Sequence, residues 1–416
     1  MRAPARNRLS ALVLTLAIWA GTAEAQAPLK ARTPMMLTWT PAQQLQWYPA
    51  METVFRTRTV ARGANVHPLP MATRQIAPTF QFQGRTWTVE DYMAAYAVSG
   101  VLVLKDGRIV LERYALGRKP ADRWTSFSVA KSVTSMLVGA AIQDGRLKLS
   151  DPVTAYIPEL KGSAYDGVTL RNLMMMSSGV AWNEDYADPK SDIARVGDVT
   201  EPGVDPYVSY VRRLPRERPP GTLFHYNTAE TDLVGIALAR AVGMPLSAYL
   251  SQKVWRPYGM ERDAVWMVDE GGNELGGCCL SMTLRDYARL GQFALDGGRI
   301  DGRAVVPGGW IAESTRVQIA NGRPAPFGYG YFWWIGPQAY EASGIYGQSI
   351  LVYPKDRVVV VMNSAWPRAN GDDLYGPMAA FQGAVRAAAV RPRAPLSRHS
   401  GLRATPMRVA TPTARP

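Results

Sequence analysis

The only Ser-x-x-Lys sequence in the chain lies in the stretch Thr125-Ser126-Phe127-Ser128-Val129-Ala130-Lys131-Ser132-Val133. In a helix, Ser128 and Lys131 are one turn apart on the same face. An amine held beside a hydroxyl can accept its proton, and enzymes use this pairing to make a nucleophile. Because the tetrad is short, a solvated helix start with an incidental serine and lysine stays open as an alternative at this point.

The residues after the tetrad predict a buried helix. Apolar side chains recur from Val133 to Ile142, and Asp144-Gly145 marks the end of the pattern. Lysine is almost never fully buried unless it is paired. A lysine on such a helix therefore favours a chemical role for Lys131.

The two ends of the chain have the composition of segments outside a folded body. Three arginines precede a short apolar core at residues 11–20, and Ala23-Glu24-Ala25 has the small-x-small form of a signal-peptidase site. We therefore predict that residues 1–25 are an export signal, cleaved after Ala25, and that the mature protein is periplasmic. Residues 391–416 carry six arginines and no acidic residue, which predicts a disordered basic tail.

The charge of the chain does not indicate nucleic-acid binding. The formal net charge is +13 at pH 7, but the predicted signal and tail carry +2 and +6 of it. The body is left with about +5, which is unremarkable for its length. After the signal, no segment is long and apolar enough to predict a membrane span.

The cysteines and histidines exclude several kinds of site. Cys278 and Cys279 are adjacent and are the only cysteines. A bond between neighbours is strained, so we expect no useful disulfide and a fold that depends on its core. No Cys/His spacing fits zinc and there is no phosphate-binding loop, so neither metal nor cofactor is predicted. The histidines His67, His225 and His399 belong to no Gly-x-Ser-x-Gly elbow, which argues against an α/β-hydrolase triad.

Strand patterns at both ends of the body enclose a mostly helical middle. A hairpin is predicted at 99–105 and 108–114, around Asp106-Gly107, and later strands at 329–335, 345–353 and 358–362. Helices are predicted at 168–178, 228–242, 284–295 and 375–390. This order predicts an α+β fold whose antiparallel sheet joins both ends of a domain at 91–390. A helical insertion spans roughly 145–320, and residues 26–90 form an N-terminal arm.

Four further motifs accompany the tetrad: Asp144-Gly145-Arg146-Leu147 with Leu149-Ser150-Asp151-Pro152, Thr169-Leu170-Arg171-Asn172-Leu173 with Ser177-Ser178-Gly179, Pro220-Gly221-Thr222-x-Phe224-x-Tyr226, and Gly344-x-x-Gly347-Gln348. With the tetrad they resemble the serine hydrolases of the β-lactamase and penicillin-binding-protein superfamily over roughly residues 90–390. The branch they resemble most is class C β-lactamase-like, of the 6-aminohexanoate-dimer hydrolase type. The resemblance implies a β-lactamase-like fold and hydrolysis through an acyl-enzyme.

The resemblance also implies the roles of the catalytic groups. Ser128 is then the nucleophile and Lys131 its partner. Tyr226 matches the tyrosine that acts as general base toward the serine and general acid toward the leaving group. A lysine ammonium nearby favours the phenolate, and on that basis we expect the pKa of Tyr226 to fall below its ordinary value near 10. The backbone N–H groups of Ser128 and Ile345 are the expected oxyanion hole.

The loop Glu184-Asp185-Tyr186-Ala187-Asp188-Pro189 resembles a substrate-covering loop of the same hydrolases. The resemblance implies that Tyr186 contacts the scissile amide, and that acidic residues including Asp185 attract a substrate ammonium. A solvated acidic loop is the alternative. Gly344 and Gln348 are also predicted to contact substrate. Three tryptophans are predicted to line an apolar cleft or, as aromatic residues more often do, to pack in the core: Trp182, Trp333 and Trp334.

The chain departs from the superfamily pattern at two places. Thr228 stands where Asn is usual after the tyrosine, and Ala342-Ser343-Gly344 replaces Lys-Thr-Gly or His-x-Gly. Without a cation at Ala342, recognition of a substrate carboxylate loses about 1.5–3 kcal/mol. This argues against an efficient β-lactamase or D,D-peptidase.

The sequence therefore predicts an exported serine hydrolase that cleaves a linear amide or ester of 6-aminohexanoate type. The substrate is a small molecule, and the sequence does not indicate an oligomeric state. One alternative is a short-chain carboxylesterase or weak β-lactamase. A second, from another class, is a non-catalytic cell-wall-binding or sensor protein of the same fold.

Overall fold

The computed structural model of the protein describes residues 33–391. The predicted export signal, and the predicted tail beyond Arg391, lie outside these residues. The described part of the N-terminal arm packs on the body, with Tyr48, Met51 and Phe55 buried. Its strand Thr57–Val60 pairs with the much later strand Ala264–Met267, so the arm is continuous with the body's structure.

A seven-stranded antiparallel sheet joins the first and last parts of the body, as predicted. Within the described residues the strands are β1 (Thr57–Val60), β2 (Phe80–Phe82), β3 (Arg85–Trp87), β4 (Val98–Lys105), β5 (Arg108–Tyr114), β6 (Arg123–Thr125), β7 (Ala264–Met267), β8 (Leu280–Thr283), β9 (Arg299–Ile300), β10 (Arg303–Ala304), β11 (Gly328–Tyr329), β12 (Trp334–Ile335), β13 (Tyr340–Gly344), β14 (Gln348–Tyr353) and β15 (Val358–Ser364). The order in the large sheet is β11-β12-β13-β14-β15-β4-β5. A second sheet has the order β1-β7-β8-β6. The early hairpin β4–β5 therefore pairs with β15, the last strand of the chain's described part.

Helices cover the large sheet and fill the middle of the chain. They are α1 (Pro41–Trp47), α2 (Val89–Ala95), α3 (Val129–Gln143), α4 (Leu170–Met174), α5 (Asp192–Arg195), α6 (Pro206–Val211), α7 (Thr228–Val242), α8 (Leu246–Leu250), α9 (Arg256–Tyr258), α10 (Leu284–Leu295), α11 (Trp310–Ser314) and α12 (Asp372–Val390). Short 3-10 turns lie at Thr33–Thr38, Met51–Thr53, Val153–Ala155 and Pro158–Leu160, and a π-helical turn at Ser251–Trp255.

Helix α3 is the central helix, and it fixes the place of the tetrad. Every residue from Val129 to Ala141 is buried. The helix packs against α7 and β13. At Gly139 the indole of Trp310 comes so close that a Cβ would lie 2.4 Å from its Nε1. This close packing leaves Ser128 at the N-terminal end of a helix held firmly between the two parts of the fold.

Three predicted elements differ from the structure. Residues 329–335 are not one strand, because Phe332 has a φ of +62° and the chain turns there between β11 and β12. The helix after Thr169 ends at Met174, just before Met176 at a φ of +55°. The predicted strand at 345–353 begins only at Gln348, and β13 precedes it. Helices α7 and α10 have the predicted bounds, and Thr283 caps α10.

No single helix among residues 33–391 is long and apolar enough to cross a membrane, although the bent pair Thr228–Val242 and Leu246–Tyr258 reaches that length and composition together. The same residues contain no group of three or more His, Cys, Asp or Glu side chains arranged to hold a metal ion.

Candidate active site

The Lys131 side chain is buried and surrounded by three oxygen atoms. Its Nζ lies 3.0 Å from Ser128 Oγ, 3.0 Å from Thr228 Oγ1 and 2.9 Å from the carbonyl oxygen of Gly277. Only 1% of the lysine is exposed. The structure therefore brings the predicted pair Ser128 and Lys131 together, and it adds two partners from α7 and from the loop before β8.

The direction of each hydrogen bond restricts what Lys131 can do. Thr228 donates its hydroxyl proton to Glu184 Oε1, so toward Lys131 it can only accept. The carbonyl of Gly277 can likewise only accept. Two lysine hydrogens are thereby committed, and the third position on Nζ faces the Ser128 hydroxyl. A neutral amine held this way presents its lone pair to that hydroxyl.

The pKa of Lys131 is lowered to about 8. Burial is the largest cause, because it disfavours the charged form, and the carboxylates of Glu184 and Asp232 oppose it. A substantial fraction of the amine is therefore neutral slightly above neutral pH. Lys131 has both the geometry and the basicity of a proton acceptor for Ser128.

The structure contradicts the expectation that the pKa of Tyr226 falls. Burial raises that pKa well above its ordinary value, and the charge of Glu184 raises it further. A hydrogen bond with the Ser128 side chain opposes the rise. Lys131 Nζ lies 5.1 Å from the centroid of the tyrosine ring, and the ring stacks on Trp334 at 5.6 Å. The phenol is thus placed beside the nucleophile as a proton donor, not as a phenolate.

Glu184 is the functional residue that the sequence reasoning placed least well. We expected it to attract a substrate ammonium. Instead its carboxylate accepts from the Tyr186 hydroxyl at 2.8 Å, the Thr228 backbone N–H at 2.9 Å, the Thr228 hydroxyl and the Trp182 indole. Trp182, Glu184 and Tyr186 stand at every second position of the sequence, and this spacing was the available signal.

A buried carboxylate lies behind the lysine. Asp232 Oδ1 accepts from the N–H of Gly277 at 2.9 Å, and the carbonyl of the same glycine accepts from Lys131. A Cβ at Gly277 would lie 2.9 Å from Thr228 Cγ2 and 3.3 Å from Lys131 Nζ, so only glycine fits without displacement. Asp232, 3% exposed, therefore orients the loop that holds the lysine.

The two cysteines that follow Gly277 are bonded to each other. Because this bond encloses no length of chain, it does not link distant parts of the fold. The stability of the fold accordingly still depends on its core. Cys278 lines a small recess beside Ser128, together with Met36, Leu37 and Ile345. The N-terminal arm thus contributes to the wall of the site, which the sequence did not indicate.

The backbone at Gly344 and Ile345 lies against the nucleophile. A Cβ at Gly344 would be 2.6 Å from the carbonyl oxygen of Ser126 and 3.1 Å from the backbone N of Ser128. Ile345 lines the cavity beside the serine. The residues of the two predicted oxyanion donors therefore lie beside the same cavity.

Of the four residues predicted to contact substrate, the structure places two at the cavity and two away from it. Tyr186 and Gly344 line the same cavity as Ser128. Asp185 is exposed, does not line that cavity, and accepts from the N–H of Ala187. Gln348 is fully buried and donates to the backbone oxygens of Tyr346 and Ser364. The prediction that Gln348 contacts substrate is therefore wrong, because its side chain is used to hold the turn after Ile345.

The cavity in front of Ser128 has a volume of about 840 Å³. Such a volume accommodates a small molecule. Of the three tryptophans, Trp334 lines it, whereas Trp182 and Trp333 are buried. Its walls are Ser128, Glu184, Tyr186, Tyr226, Arg323, Trp334, Glu341, Ser343, Gly344, Ile345, Asn370, Gly371, Asp372, Tyr375, Gly376, Met378, Ala379 and Gln382.

Comparison with known proteins identifies the class of this fold and site. The Beta-lactamase family model matches residues 87–385. The chain belongs to this family. It is 31% identical over 360 residues to a 6-aminohexanoate-dimer hydrolase of Paenarthrobacter ureafaciens. The alignment covers 82% of this chain and 91% of the relative.

Solved structures agree with this assignment. A Bacillus anthracis protein assigned as a 6-aminohexanoate-dimer hydrolase superposes with a TM-score of 0.73 and 25% identity, covering 81% of this chain and 93% of that one. A family VIII carboxylesterase shares the fold, with a TM-score of 0.56, 17% identity, and coverage of 71% and 96%. The chain is thus a serine hydrolase of amide or ester bonds with a β-lactamase-like α+β fold. The Paenarthrobacter relative is named for a small-molecule substrate, the 6-aminohexanoate dimer.

Proposed function

We propose that Ser128 is the nucleophile of an acyl-enzyme mechanism and that Lys131 accepts its proton. The observation that carries this proposal is the arrangement of acceptors around Lys131, which commits two of its hydrogens and turns the remaining position toward Ser128 Oγ. A lowered lysine pKa of about 8 supports the same role. Burying the amine thus leaves more of it unprotonated, and so able to accept a proton, near neutral pH.

The remaining groups complete the reaction. As Ser128 Oγ bonds to the substrate carbonyl carbon, its proton passes to Lys131 and negative charge develops on the carbonyl oxygen. The backbone N–H groups of Ser128 and Ile345 stabilise that charge. The neutral phenol of Tyr226 gives its proton to the leaving nitrogen or oxygen and regains one from Lys131. Water then attacks the carbonyl carbon of the acyl-enzyme and passes a proton to Lys131. Ser128 Oγ leaves with a proton from Tyr226, which regains one from Lys131.

The substrate that we propose is a linear amide or ester of 6-aminohexanoate type. The 31% identical relative is named for the 6-aminohexanoate dimer. A cavity of about 840 Å³ with Tyr186 and Trp334 on its walls has room for a flexible linear chain. Ala342 supplies no cation for a β-lactam carboxylate, in keeping with this choice.

The first experiment measures release of free 6-aminohexanoate from its linear dimer by the purified full chain, beside Ser128→Ala. We expect turnover that the substitution abolishes. Ser135→Ala is the matched control, since this serine lies on the same helix and its hydroxyl has no partner. A fluorophosphonate should label the unmodified chain at Ser128 alone.

Two other results would change the assignment. Cleavage of short p-nitrophenyl esters but not of the dimer, still dependent on Ser128, would make the protein a carboxylesterase. Labelling at a different residue, or none, would support the non-catalytic alternative.

We also propose that the protein is exported through a signal at residues 1–25. The basic start, short apolar core and Ala23-Glu24-Ala25 support this. N-terminal sequencing of the protein from a periplasmic fraction should begin at Gln26. Recovery of the chain with its N-terminal residues intact would refute export by this route.

A further inference from the structure

Glu341 is an acidic group in the substrate cavity that the mechanism does not use. It lies on β13 and lines the same cavity as Ser128. Its Oε1 accepts a hydrogen bond from Ser349 Oγ at 2.5 Å, and Gln382 Nε2 donates to the same Ser349 Oγ at 3.3 Å and lowers the pKa of Glu341. Both partners are neutral. Among the ion pairs of the described residues, none includes Glu341.

A partly buried carboxyl without a cation is costly to ionise. Burial accordingly raises the pKa of Glu341, while the charge of Arg323 opposes the rise. Arg323 is itself exposed, at the cavity rim, with its guanidinium 3.9 Å above the ring of Phe327. A cation brought into the cavity by a substrate would therefore find an acceptor that the protein has left unpaired.

The other acids near the cavity do not offer the same site. The Glu184 carboxylate already accepts from Trp182, Tyr186 and twice from Thr228. Asp372 lies on the wall but is exposed to water, where its charge is screened. Glu341 is thus the acid of this cavity that combines partial burial with the lack of a charged partner.

The strand sets the distance between Glu341 and the reacting bond. Glu341 and Ser343 alternate along β13 on one side of the sheet, and both line the cavity. Gly344 lies against the backbone N of Ser128. Glu341 and Gly344 are three positions apart on this strand, so their Cα atoms are about 10 Å apart at the usual rise per residue. A 6-aminohexanoyl chain, extended from carbonyl carbon to amine nitrogen, spans about 7–8 Å with C–C bonds of about 1.5 Å. This length is comparable to the spacing along the strand, and Ser128 and Glu341 line one cavity.

We propose that Glu341, supported by Ser349 and Gln382, binds the ammonium end of a linear substrate whose scissile carbonyl lies at Ser128. This inference rests on the proposed function and extends it to a substrate class. The substrates are unbranched ω-amino acyl compounds, and the distance from the oxyanion hole to Glu341 sets the preferred chain length.

Two p-nitrophenyl esters of equal length test the inference. The 6-aminohexanoate ester carries an ammonium where the heptanoate ester carries a methyl group. We expect the unmodified protein to prefer the ammonium ester in kcat/KM, and Glu341→Gln to lower that preference about tenfold or more, mainly through KM. Glu341→Asp, which keeps the charge, should retain a preference for the ammonium ester. Glu313→Gln is the control, because Glu313 pairs with Arg316 on the surface, outside this cavity.

A second measurement needs no variant. Hexylamine and hexanol compete with the heptanoate ester on the unmodified protein, and the amine should inhibit at least tenfold more tightly. Equal inhibition, or an unchanged preference in Glu341→Gln, would overturn the role of Glu341. Failure of the unmodified protein to cleave either ester in a Ser128-dependent way would instead refute the proposed function, so the two failures are distinguishable.

Discussion

Replacing Asp232 by Asn should move the pH dependence of the enzyme toward acid. Asparagine keeps an oxygen that can accept from the Gly277 N–H, so the loop stays in place while the negative charge is lost. The charges around Asp232 are Lys131, which lowers its pKa, and Asp205 and Glu184, which raise it. Burial is the largest cause and brings that pKa to about 7, so Asp232 is largely ionised where Lys131 loses its proton.

The size of the effect follows from the distances. Asp232 Oδ1 to Gly277 N and Gly277 O to Lys131 Nζ are both 2.9 Å. With about 3 Å between the N and O of one residue, the charges are at most about 9 Å apart. At an effective dielectric constant of about 20, charges at that distance attract by about 2 kcal/mol, which is about 1.4 pKa units. Without this attraction the lysine pKa should fall from about 8 to below about 7.

The assay is kcat/KM for a neutral p-nitrophenyl ester between about pH 5 and about pH 10. A base must be unprotonated to act, so activity rises with pH through its pKa. The rising limb should therefore lie about one unit or more lower in Asp232→Asn. Asp192→Asn is the matched control, because Asp192 also accepts a backbone N–H but does not act on Lys131. A limb that stays in place, or moves upward, would refute the assignment of Lys131 as the base.

Three further substitutions test the surroundings of the site. Thr228→Val removes an acceptor of Lys131 and a donor to Glu184, so kcat/KM should fall about 10- to 100-fold, and Thr228→Ser should restore most of it. Gly277→Ala places a Cβ 2.9 Å from Thr228 Cγ2 and should lower kcat more than it raises KM, whereas Gly308→Ala, with open space, should change neither. Glu230 is buried beside Ser178, and its pKa is raised to about 8 from 4.5. The folded state therefore holds a proton that the unfolded state releases above about pH 4.5, and stability falls by about 1.4 kcal/mol per pH unit up to about pH 8. Urea unfolding should show Glu230→Gln gaining stability over the unmodified protein between those limits, and parallel pH profiles for the two proteins would contradict this.

The elements that could be predicted from the sequence are those whose pattern is long or whose signal is local. The hairpin around Asp106-Gly107 and the helix after Ser128 have both. The five residues of β13, Tyr-Glu-Ala-Ser-Gly, show little β-preference, and the strand forms because β14 pairs with it. Nothing local predicts such a strand. The tetrad supplied Ser128 and Lys131, the resemblance to a known family supplied Tyr226 and Ile345, and the structure places all four at one site.

Long-range polar contacts could not be predicted in this way. Asp232 and Gly277 are 45 positions apart, and Glu184 and Thr228 are 44 apart. Their roles depend on hydrogen bonds that form only after α7 packs beside the Lys131 helix. The prediction of a lowered pKa for Tyr226 was wrong for the same reason. Proximity to a lysine suggested a phenolate, whereas burial and the nearby Glu184 raise the pKa of Tyr226 and favour the neutral phenol.

Threonine at position 228 couples the base to Glu184 more closely than the usual asparagine would. An asparagine accepts through one atom and donates through another, so its two hydrogen bonds are independent. A hydroxyl has one proton. While Glu184 accepts that proton, Thr228 must accept from Lys131, and the lysine lone pair stays directed at Ser128. If the hydroxyl turned to donate to Lys131, it would occupy the lone pair that the serine proton needs. The Tyr186 hydroxyl donates to the same carboxylate. A substrate that displaces Tyr186 therefore changes the acceptor that fixes Thr228, which links binding at the loop to the state of the base.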